Sequence, residues 1–357
     1  MKPDRDGFLR PALDAARCRD CGACARACPV LTPVSPAPAP LAVWAARTRD
    51  AEELASSSSG GLFSLAARKI LGEGGSVFGC VWRDDAACHV RADDAAGAAA
   101  MRGSKYVQSD PRATYRECRE VLAAGRPVLY TGTPCQIAGL RQFLGRDWPG
   151  LVTIALICHG VPSPKVLDAF LQDLVREAGA SSAPDVRFRV KDPSWSRSRL
   201  RVTFDTGVVH DEESFASSYM RMFLMGFSAR ESCSVCRFRS GRAGADLVIG
   251  DFWGVETTEG LARFRDDRGA SAVLAFTERG LRFAEALDLD RADVTYDEVA
   301  RLNFNLDHDT RPPLGRRRFL SHCAAHGFSA ACAHALADSP LKRWLRSVYK
   351  KLRGGGR

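Results

Sequence analysis

The chain has 357 residues, and its 45% hydrophobic and 26% charged residues exclude a disordered or fibrous protein. The net charge is +9, but the last 47 residues alone carry +10, so the neutral body of the protein offers no general nucleic-acid-binding surface. The longest apolar stretch, Leu151 to Cys158, is far shorter than the roughly 20 residues of a membrane-spanning helix. Since no secretory signal is visible, a cytoplasmic protein is expected.

Cysteine usage is the most informative part of the composition. The chain has 13 cysteines, an odd number without an export signal, which indicates metal or redox chemistry rather than disulfides. Near the N-terminus, Cys18, Cys21, Cys24 and Cys28 follow the spacing C-x2-C-x2-C-x3-C-P. This is the bacterial ferredoxin pattern for a [4Fe–4S] cluster, so these four thiols are the candidate ligands.

The N-terminal run leaves the ligation of its cluster open. In two-cluster ferredoxins the fourth Cys of a run binds the other cluster, whereas this chain has a single run. Either Cys28 closes the site locally, or a distant Cys does so, or an upstream half-module is absent from this chain.

A Pro- and Ala-rich stretch at 32–40 predicts a stiff linker, and a strand follows over 41–46. Next, the Ser56-to-Gly61 stretch precedes a predicted helix over 62–71. Hydroxyl groups and glycines at a helix N-terminus favour phosphate binding, because free backbone N–H groups and the positive end of the helix dipole meet there. The alternative is an ordinary serine N-cap.

Helices and short apolar strands then alternate, which predicts an α/β fold with a mixed open sheet. The predicted helices are 115–124, 138–143 and 165–177, and the predicted strands are 127–130, 151–157 and 246–250.

Two of these strands run into cysteines, namely Cys135 and Cys158. Ligands in open α/β sheets lie beyond the carboxyl ends of the strands, so parallel neighbouring strands would bring both thiols to one crevice. With Cys233 and Cys236, which precede a later strand, they form a second set of four thiols. The alternatives are a zinc site and ordinary buried thiols.

The end of the chain carries a basic amphipathic pattern over 341–352, with apolar residues at helical spacing and Lys or Arg between them. Such a helix binds an anionic membrane surface, docks a partner, or packs its apolar stripe on the body.

Six motifs, taken in order, resemble the beta-subunit family of coenzyme F420 hydrogenases and dehydrogenases. That family also includes 7-hydroxymethyl chlorophyll a reductase and bacterial members near polysaccharide genes. The resemblance runs from about Phe8 to about Leu287. Its motifs are residues 54–64, 101–109, 131–136, 157–164, 233–236 and 249–254.

The resemblance implies FAD as a cofactor and a second [4Fe–4S] cluster beside it, held by Cys135, Cys158, Cys233 and Cys236. It also implies coenzyme F420 as a substrate in some lineages. The implied flavin-binding residues lie in two loops. They are Ser58, Ser59, Gly60 and Gly61 in the first loop, and Gly103, Ser104, Lys105, Tyr106, Gln108 and Ser109 in the second.

These features predict four parts of the chain: a ferredoxin-like segment and linker (1–40), an FAD-binding part (41–125), a part with the second cluster (126–290) and a helical basic tail (291–357). The expected activity is a flavin and [4Fe–4S] oxidoreductase. It would pass electrons between a ferredoxin-like donor or F420-type carrier and a substrate at FAD. The alternatives are an electron-transfer subunit without its own substrate and a structural metal-binding module. No catalytic acid–base residue is predicted.

Overall fold

The computed structural model describes residues 1–32 and 39–337. Its strands are β1 Lys2–Pro3, β2 Leu9–Arg10, β3 Ala42–Thr48, β4 Ser76–Arg83, β5 Ala86–Ala92, β6 Val128–Gly132, β7 Leu151–Leu156, β8 Asp185–Val190, β9 Arg199–Thr203, β10 Val209–Glu213, β11 Leu247–Asp251, β12 Ser271–Ala275 and β13 Leu289–Asp293. Its α-helices are α1 Ala23–Arg26, α2 Ala51–Ser56, α3 Leu62–Gly72, α4 Ala95–Ala99, α5 Thr114–Ala123, α6 Pro134–Leu144, α7 Pro164–Glu177, α8 Ser218–Leu224, α9 Glu278–Glu285, α10 Tyr296–Ala300, α11 Arg316–His326 and α12 Phe328–Leu336. Short 3-10 turns cover Glu231–Val235, Ala262–Phe264 and Phe304–Leu306.

The centre of the protein is an eight-stranded sheet in the order β13-β3-β12-β11-β7-β6-β4-β5. The four middle strands, β11, β7, β6 and β4, run parallel to one another, and the outer strands pair antiparallel. Strand β7 is buried along nearly its whole length, as expected for a parallel strand covered on both faces. Apolar clusters on the two faces of this sheet form most of the core.

A second, three-stranded antiparallel sheet of β8, β9 and β10 adjoins the first. It packs with α7, α8, α11 and α12 around a separate apolar cluster that includes Phe170, Phe188, Tyr219 and Phe223. Helix α7 begins where Ser163 caps it and Pro164 occupies the first position, a combination that favours helix initiation.

The first ten residues form a small hairpin, β1–β2, that is fixed to the body of the protein. Phe8 is only 1% exposed. The Gln108 side-chain amide pairs with both backbone groups of Leu9, accepting from its N–H at 2.7 Å and donating to its carbonyl at 3.3 Å. The Ser163 hydroxyl donates to the carbonyl of Asp6. This anchor holds the segment that leads into the N-terminal cysteine run, and we refer to residues 2–10 as the N-terminal anchor.

The predicted α/β class with a mixed open sheet is confirmed. Strands β3 to β5 precede the boundary predicted near residue 125 and strands β6, β7 and β11 to β13 follow it, yet they share the central sheet; the four-part division stays a prediction. The basic helix predicted over 341–352 and most of the predicted linker fall outside the described residues. Within the part of the chain that is described, no helix has the length and apolar character to cross a membrane.

Candidate functional site

The second set of cysteines comes together at the carboxyl edge of the parallel strands. Strands β6 and β7 are parallel neighbours, with Gly132 opposite Ala155, so Cys135 and Cys158 follow them at the same edge. The loop after Cys158 runs beside the turn that carries Cys233. Gly160 has a φ of 140°, and a Cβ there would lie 3.2 Å from the Cys233 Cβ, so both the backbone conformation and the close approach favour glycine.

These thiols are near enough to one another to raise each other's pKa. Burial raises the pKa of Cys158, and the neighbouring Cys233 and Cys135 raise it further. Burial likewise raises the pKa of Cys233 to about 11, with Cys135 and Cys236 adding to the effect. Desolvation also raises the pKa of Cys135, although this residue is exposed.

An arginine clamps two of the cysteine segments, and sequence reasoning missed it. Arg239, 4% exposed, donates to the carbonyls of Cys158 and Asn305 and, at 3.3 Å, to that of His159. Arg239 also forms an ion pair with Asp309 at 3.2 Å. The Asp309 carboxylate in turn accepts a hydrogen bond from the Cys236 backbone N–H at 3.1 Å. The signal that could have revealed Arg239 is its place three residues after Cys236, inside the cysteine loop.

The N-terminal cysteine run forms a compact turn around α1. Cys18, Cys21 and Cys24 are exposed and Cys28 is half-buried. The Asp20 backbone N–H donates to the Cys18 sulfur at 3.4 Å, and hydrogen bonds of this kind stabilise cluster-bound thiolates.

The donor chemistry at both sites fits iron–sulfur clusters. In the described residues, no three His, Cys, Asp or Glu side chains are positioned to hold a single metal ion. A cubane cluster makes a different demand, because each cysteine binds a different iron and the set surrounds a body of several atoms. Neighbouring thiols from three segments suit that demand, and Cys135, Cys158, Cys233 and Cys236 are the residues that would hold the cluster.

The two loops implied in flavin binding lie against each other. The Ser104 backbone N–H donates to the Ser58 hydroxyl at 2.9 Å, and the two hydroxyl oxygens are 3.2 Å apart. Gly103 adopts a φ of 81°, which forms the turn that presents Ser104.

The first loop is tightly built and precedes helix α3. The Gly60 backbone N–H donates to the Ser271 hydroxyl at 2.9 Å, and a Cβ at Gly60 would lie 2.4 Å from the Ala46 carbonyl oxygen. Ser59 donates to the carbonyl of Ala270 at 2.9 Å. Gly61, the N-cap of α3, completes the loop.

Helix α3 carries a buried hydroxyl that is not satisfied within the described residues. Ser64, in its first turn, is 9% exposed and its oxygen has no hydrogen-bond partner there. A buried polar atom without a partner at a helix N-terminus fits an anionic ligand such as the FAD pyrophosphate.

Lys105 and Tyr106 make protein contacts. The Lys105 ammonium donates to the carbonyls of Met101, Arg102 and Gly103 at 3.0, 2.7 and 3.1 Å, and burial lowers its pKa to about 8. The Tyr106 ring packs against Phe188 and Phe223. Both residues therefore shape the second loop, and a direct ligand contact by either stays a prediction.

Gln108 and Ser109 take two different positions. Gln108 holds the N-terminal anchor, as described above. Ser109 instead belongs to a hydrogen-bonded chain that leads to the second cysteine set. It accepts from the Gln136 side-chain amide at 2.9 Å, Thr133 donates to Gln136 at 3.0 Å, and the Thr133 hydroxyl lies 3.3 Å from the Cys135 sulfur.

Two further basic residues near the first loop were missed by sequence reasoning. Arg189, on β8, pairs with Asp251 at 2.5 Å, and the Trp195 indole N–H donates to the same carboxylate at 2.7 Å. Lys191 follows β8 and contacts the first loop directly. Neither residue lies in a recognisable motif, so no sequence signal was available.

The site and fold define the protein's class: an α/β protein with a thiol-lined site at the carboxyl edge of its sheet. Residues 125–298 match the family described as the C terminus of the beta subunit of coenzyme F420 hydrogenase/dehydrogenase. This segment, which holds all four cysteines of the second set, belongs to that family, and the resemblance stated from the motifs is confirmed there. Residues 125–298 are thus the part of the chain that is similar to the beta subunits of a redox family.

Among solved structures, the chain is similar to one from the F420-reducing [NiFe] hydrogenase complex of Methanosarcina barkeri, studied by xenon derivatization. The identity is 20%, the TM-score is 0.48, and the match covers 82% of this chain and 90% of that chain. No curated protein matches the chain.

Proposed function

We propose that this protein is an iron–sulfur flavoprotein oxidoreductase. It passes electrons between a one-electron donor of the ferredoxin type, or an F420-type carrier, and a substrate that binds at FAD. When bound, FAD exchanges two electrons at once and releases them singly, while [4Fe–4S] clusters carry single electrons.

One observation carries this proposal: the hydrogen-bonded connection between the second cysteine set and the second loop. It runs from the Cys135 sulfur through Thr133 and Gln136 to Ser109, with steps of 3.3, 3.0 and 2.9 Å. A site for a one-electron carrier and a site for a two-electron carrier are useful as a pair only when they are adjacent, and this connection supports that arrangement.

The chain's own residues have separate tasks in this proposal. The four cysteines hold the cluster, and Arg239 fixes the backbone of Cys158 and His159 next to it. The unpartnered Ser64 hydroxyl and the α3 N-terminus receive the anionic part of FAD. Asp251 is engaged by Arg189 and Trp195, so it supports the wall of the site instead of moving a proton.

Anaerobic reconstitution with iron, sulfide and FAD tests the proposal. We expect about eight irons and one flavin per chain, with the visible absorbance of both groups. The variant Cys332→Ala, which changes a buried thiol in the apolar cluster of α7, α11 and α12, serves as the control and should keep the full iron content. Protein that binds zinc and no flavin would contradict the proposal and favour a structural metal-binding module.

The alternative is an electron-transfer subunit without a substrate of its own, and the exposed N-terminal cysteine run favours it, because an exposed cluster suits transfer to a partner protein. Reduction of a small-molecule acceptor by the purified, reconstituted protein alone would exclude this alternative.

The proposed oxidoreductase also has a proposed location: the cytoplasm, with contact to the inner face of the membrane through residues 341–352.

A further inference from the structure

Lys191 joins three separate segments of the chain through one ammonium group. Its Nζ donates to the carbonyl of Leu54 at 2.7 Å, to that of Ser59 at 2.5 Å and to that of Arg268 at 2.7 Å. Leu54 lies in α2, Ser59 lies in the first flavin loop, and Arg268 lies in the loop before β12. An ammonium has three N–H donors, so all of them are used to hold backbone.

The charges around Lys191 leave its ammonium without a directly bound carboxylate in the described part of the chain. The nearest acids are engaged elsewhere: Asp251 pairs with Arg189, and Asp267 accepts from Ser196. Three cations, Arg189, Arg268 and Arg47, also face the ammonium. The group is therefore held by carbonyl dipoles inside a partly buried, cation-rich environment.

This environment makes the charge of Lys191 sensitive to pH. Burial lowers the pKa of Lys191, Asp251 opposes this effect, and the three arginines add to it, which together give a pKa of about 7. The other charged groups around it are carboxylates and guanidinium groups, which do not titrate near neutrality. Lys105, in the second loop, is the other amine of the candidate site, with a pKa of about 8.

We propose that Lys191 is the positioning residue of the flavin site, because it fixes the Ser59 turn and places a positive charge behind it. This inference rests on the proposed binding of FAD. The loop is fixed from two sides: Lys191 holds the carbonyl of Ser59, and the Ser104 backbone N–H holds the hydroxyl of Ser58. The Lys191 ammonium behind the loop then stabilises, by electrostatic attraction, an anionic group that binds in front of it.

The sign of the pH dependence follows from this placement. A bound pyrophosphate favours the charged ammonium and raises its pKa above the value in the free protein, so binding takes up a proton around neutral pH. FAD affinity is therefore expected to be highest below pH 7 and to fall as the pH rises through 7 to 8.

The test compares the wild-type protein with Lys191→Met and Lys191→Arg. FAD affinity is measured by quenching of flavin fluorescence from pH 6 to pH 9. Lys191→Met should weaken binding at least tenfold at pH 6 and remove the pH dependence that arises from this residue. Lys191→Arg, whose charge does not titrate, should bind more tightly than Lys191→Met and lose the same pH dependence.

The matched control is Lys165→Met, which removes another lysine that donates to a backbone carbonyl, that of Arg5 at 2.8 Å in the N-terminal anchor, and not to the Ser59 loop. It should bind FAD as the wild type does. Hydrogen exchange without flavin gives a second readout, since Lys191→Met should speed exchange of the Ser57 and Gly60 amides.

The outcomes separate the inference from the proposed function. If Lys191→Met keeps wild-type affinity, pH profile and exchange rates, Lys191 has no positioning role, although FAD binding stands. In another outcome, Lys191→Met lowers FAD affinity and speeds amide exchange but keeps the pH profile of the wild type. Lys105 is then the titrating group and the inference is wrong. If the wild type binds no FAD, the proposed function fails and the inference fails with it.

Discussion

Replacing Arg239 with methionine tests how the second cysteine set is held in place. The substitution keeps an unbranched apolar stem but removes every donor of the guanidinium group. Three carbonyl groups, those of Cys158, His159 and Asn305, then lose a charged partner. Asp309 loses its ion-pair partner as well.

The expected loss of stability follows from these contacts. A buried carbonyl without its partner costs about 1–3 kcal/mol. The Asp309 side chain is 37% exposed, so its ion pair adds little after solvent screening. With some relaxation and water entry, Arg239→Met should lower the free energy of unfolding by about 3–5 kcal/mol, the range found when a buried charged partner is removed.

Urea denaturation of the cluster-free protein measures this loss, and iron retention after reconstitution measures its effect on the site. Arg242→Met is the matched control, because Arg242 is exposed and makes one bond, to the Arg239 carbonyl at 2.9 Å. Its expected effect is within about 0.5 kcal/mol. Equal urea midpoints and equal iron retention for the two variants would refute the proposed role of Arg239 in holding the cysteine segments together.

Three further predictions concern the two cofactor sites and the core between them. Cys135→Ser should reduce iron after reconstitution from about eight to about four per chain, and an unchanged count would remove this thiol from the ligand set. Gly60→Ala should lower FAD affinity at least tenfold in a flavin titration, because its Cβ would lie 2.4 Å from a carbonyl oxygen; Gly72→Ala, with open space around it, should have no effect. Burial lowers the pKa of His89 to about 4. As the pH falls below 6.5, His89 is therefore protonated in the unfolded state while it stays neutral in the folded state, which favours unfolding. Stability should therefore fall by about 3 kcal/mol between pH 6.5 and pH 4, and urea midpoints for His89→Gln should show a smaller fall.

The sequence allowed prediction of those features that leave a local pattern. The apolar runs of β6 and β7 and the cysteines after them predicted a shared sheet edge, and the parallel pairing confirmed that geometry. The start of α6 was placed four residues late, because its first turn contains Pro134 and Cys135, which do not continue an apolar stripe. The capping box of Thr133 and Gln136 was the available signal for that start.

Other features depend on contacts between distant segments and leave no pattern. Strands β8 to β10 are only five or six residues long and rich in charged residues, so the alternation in β8 and β9 was too short to predict a separate sheet. Arg239 and Lys191 bind mainly backbone carbonyls, which every residue possesses, so these partners cannot be identified from the sequence. Gln108 was predicted as a flavin contact by resemblance; its bonds to Leu9, 99 residues away, are invisible in the sequence.

The N-terminal anchor limits how far the first cysteine run can travel. Its last residue, Arg10, is hydrogen-bonded in the β1–β2 hairpin, and Cys18 follows eight residues later. Even a fully extended tether of that length reaches only about 29 Å. The run is thus confined near one face of the body, at a high effective concentration relative to it. An electron carrier bound there would work as a fixed relay rather than as a swinging arm, and a partner would have to come to it.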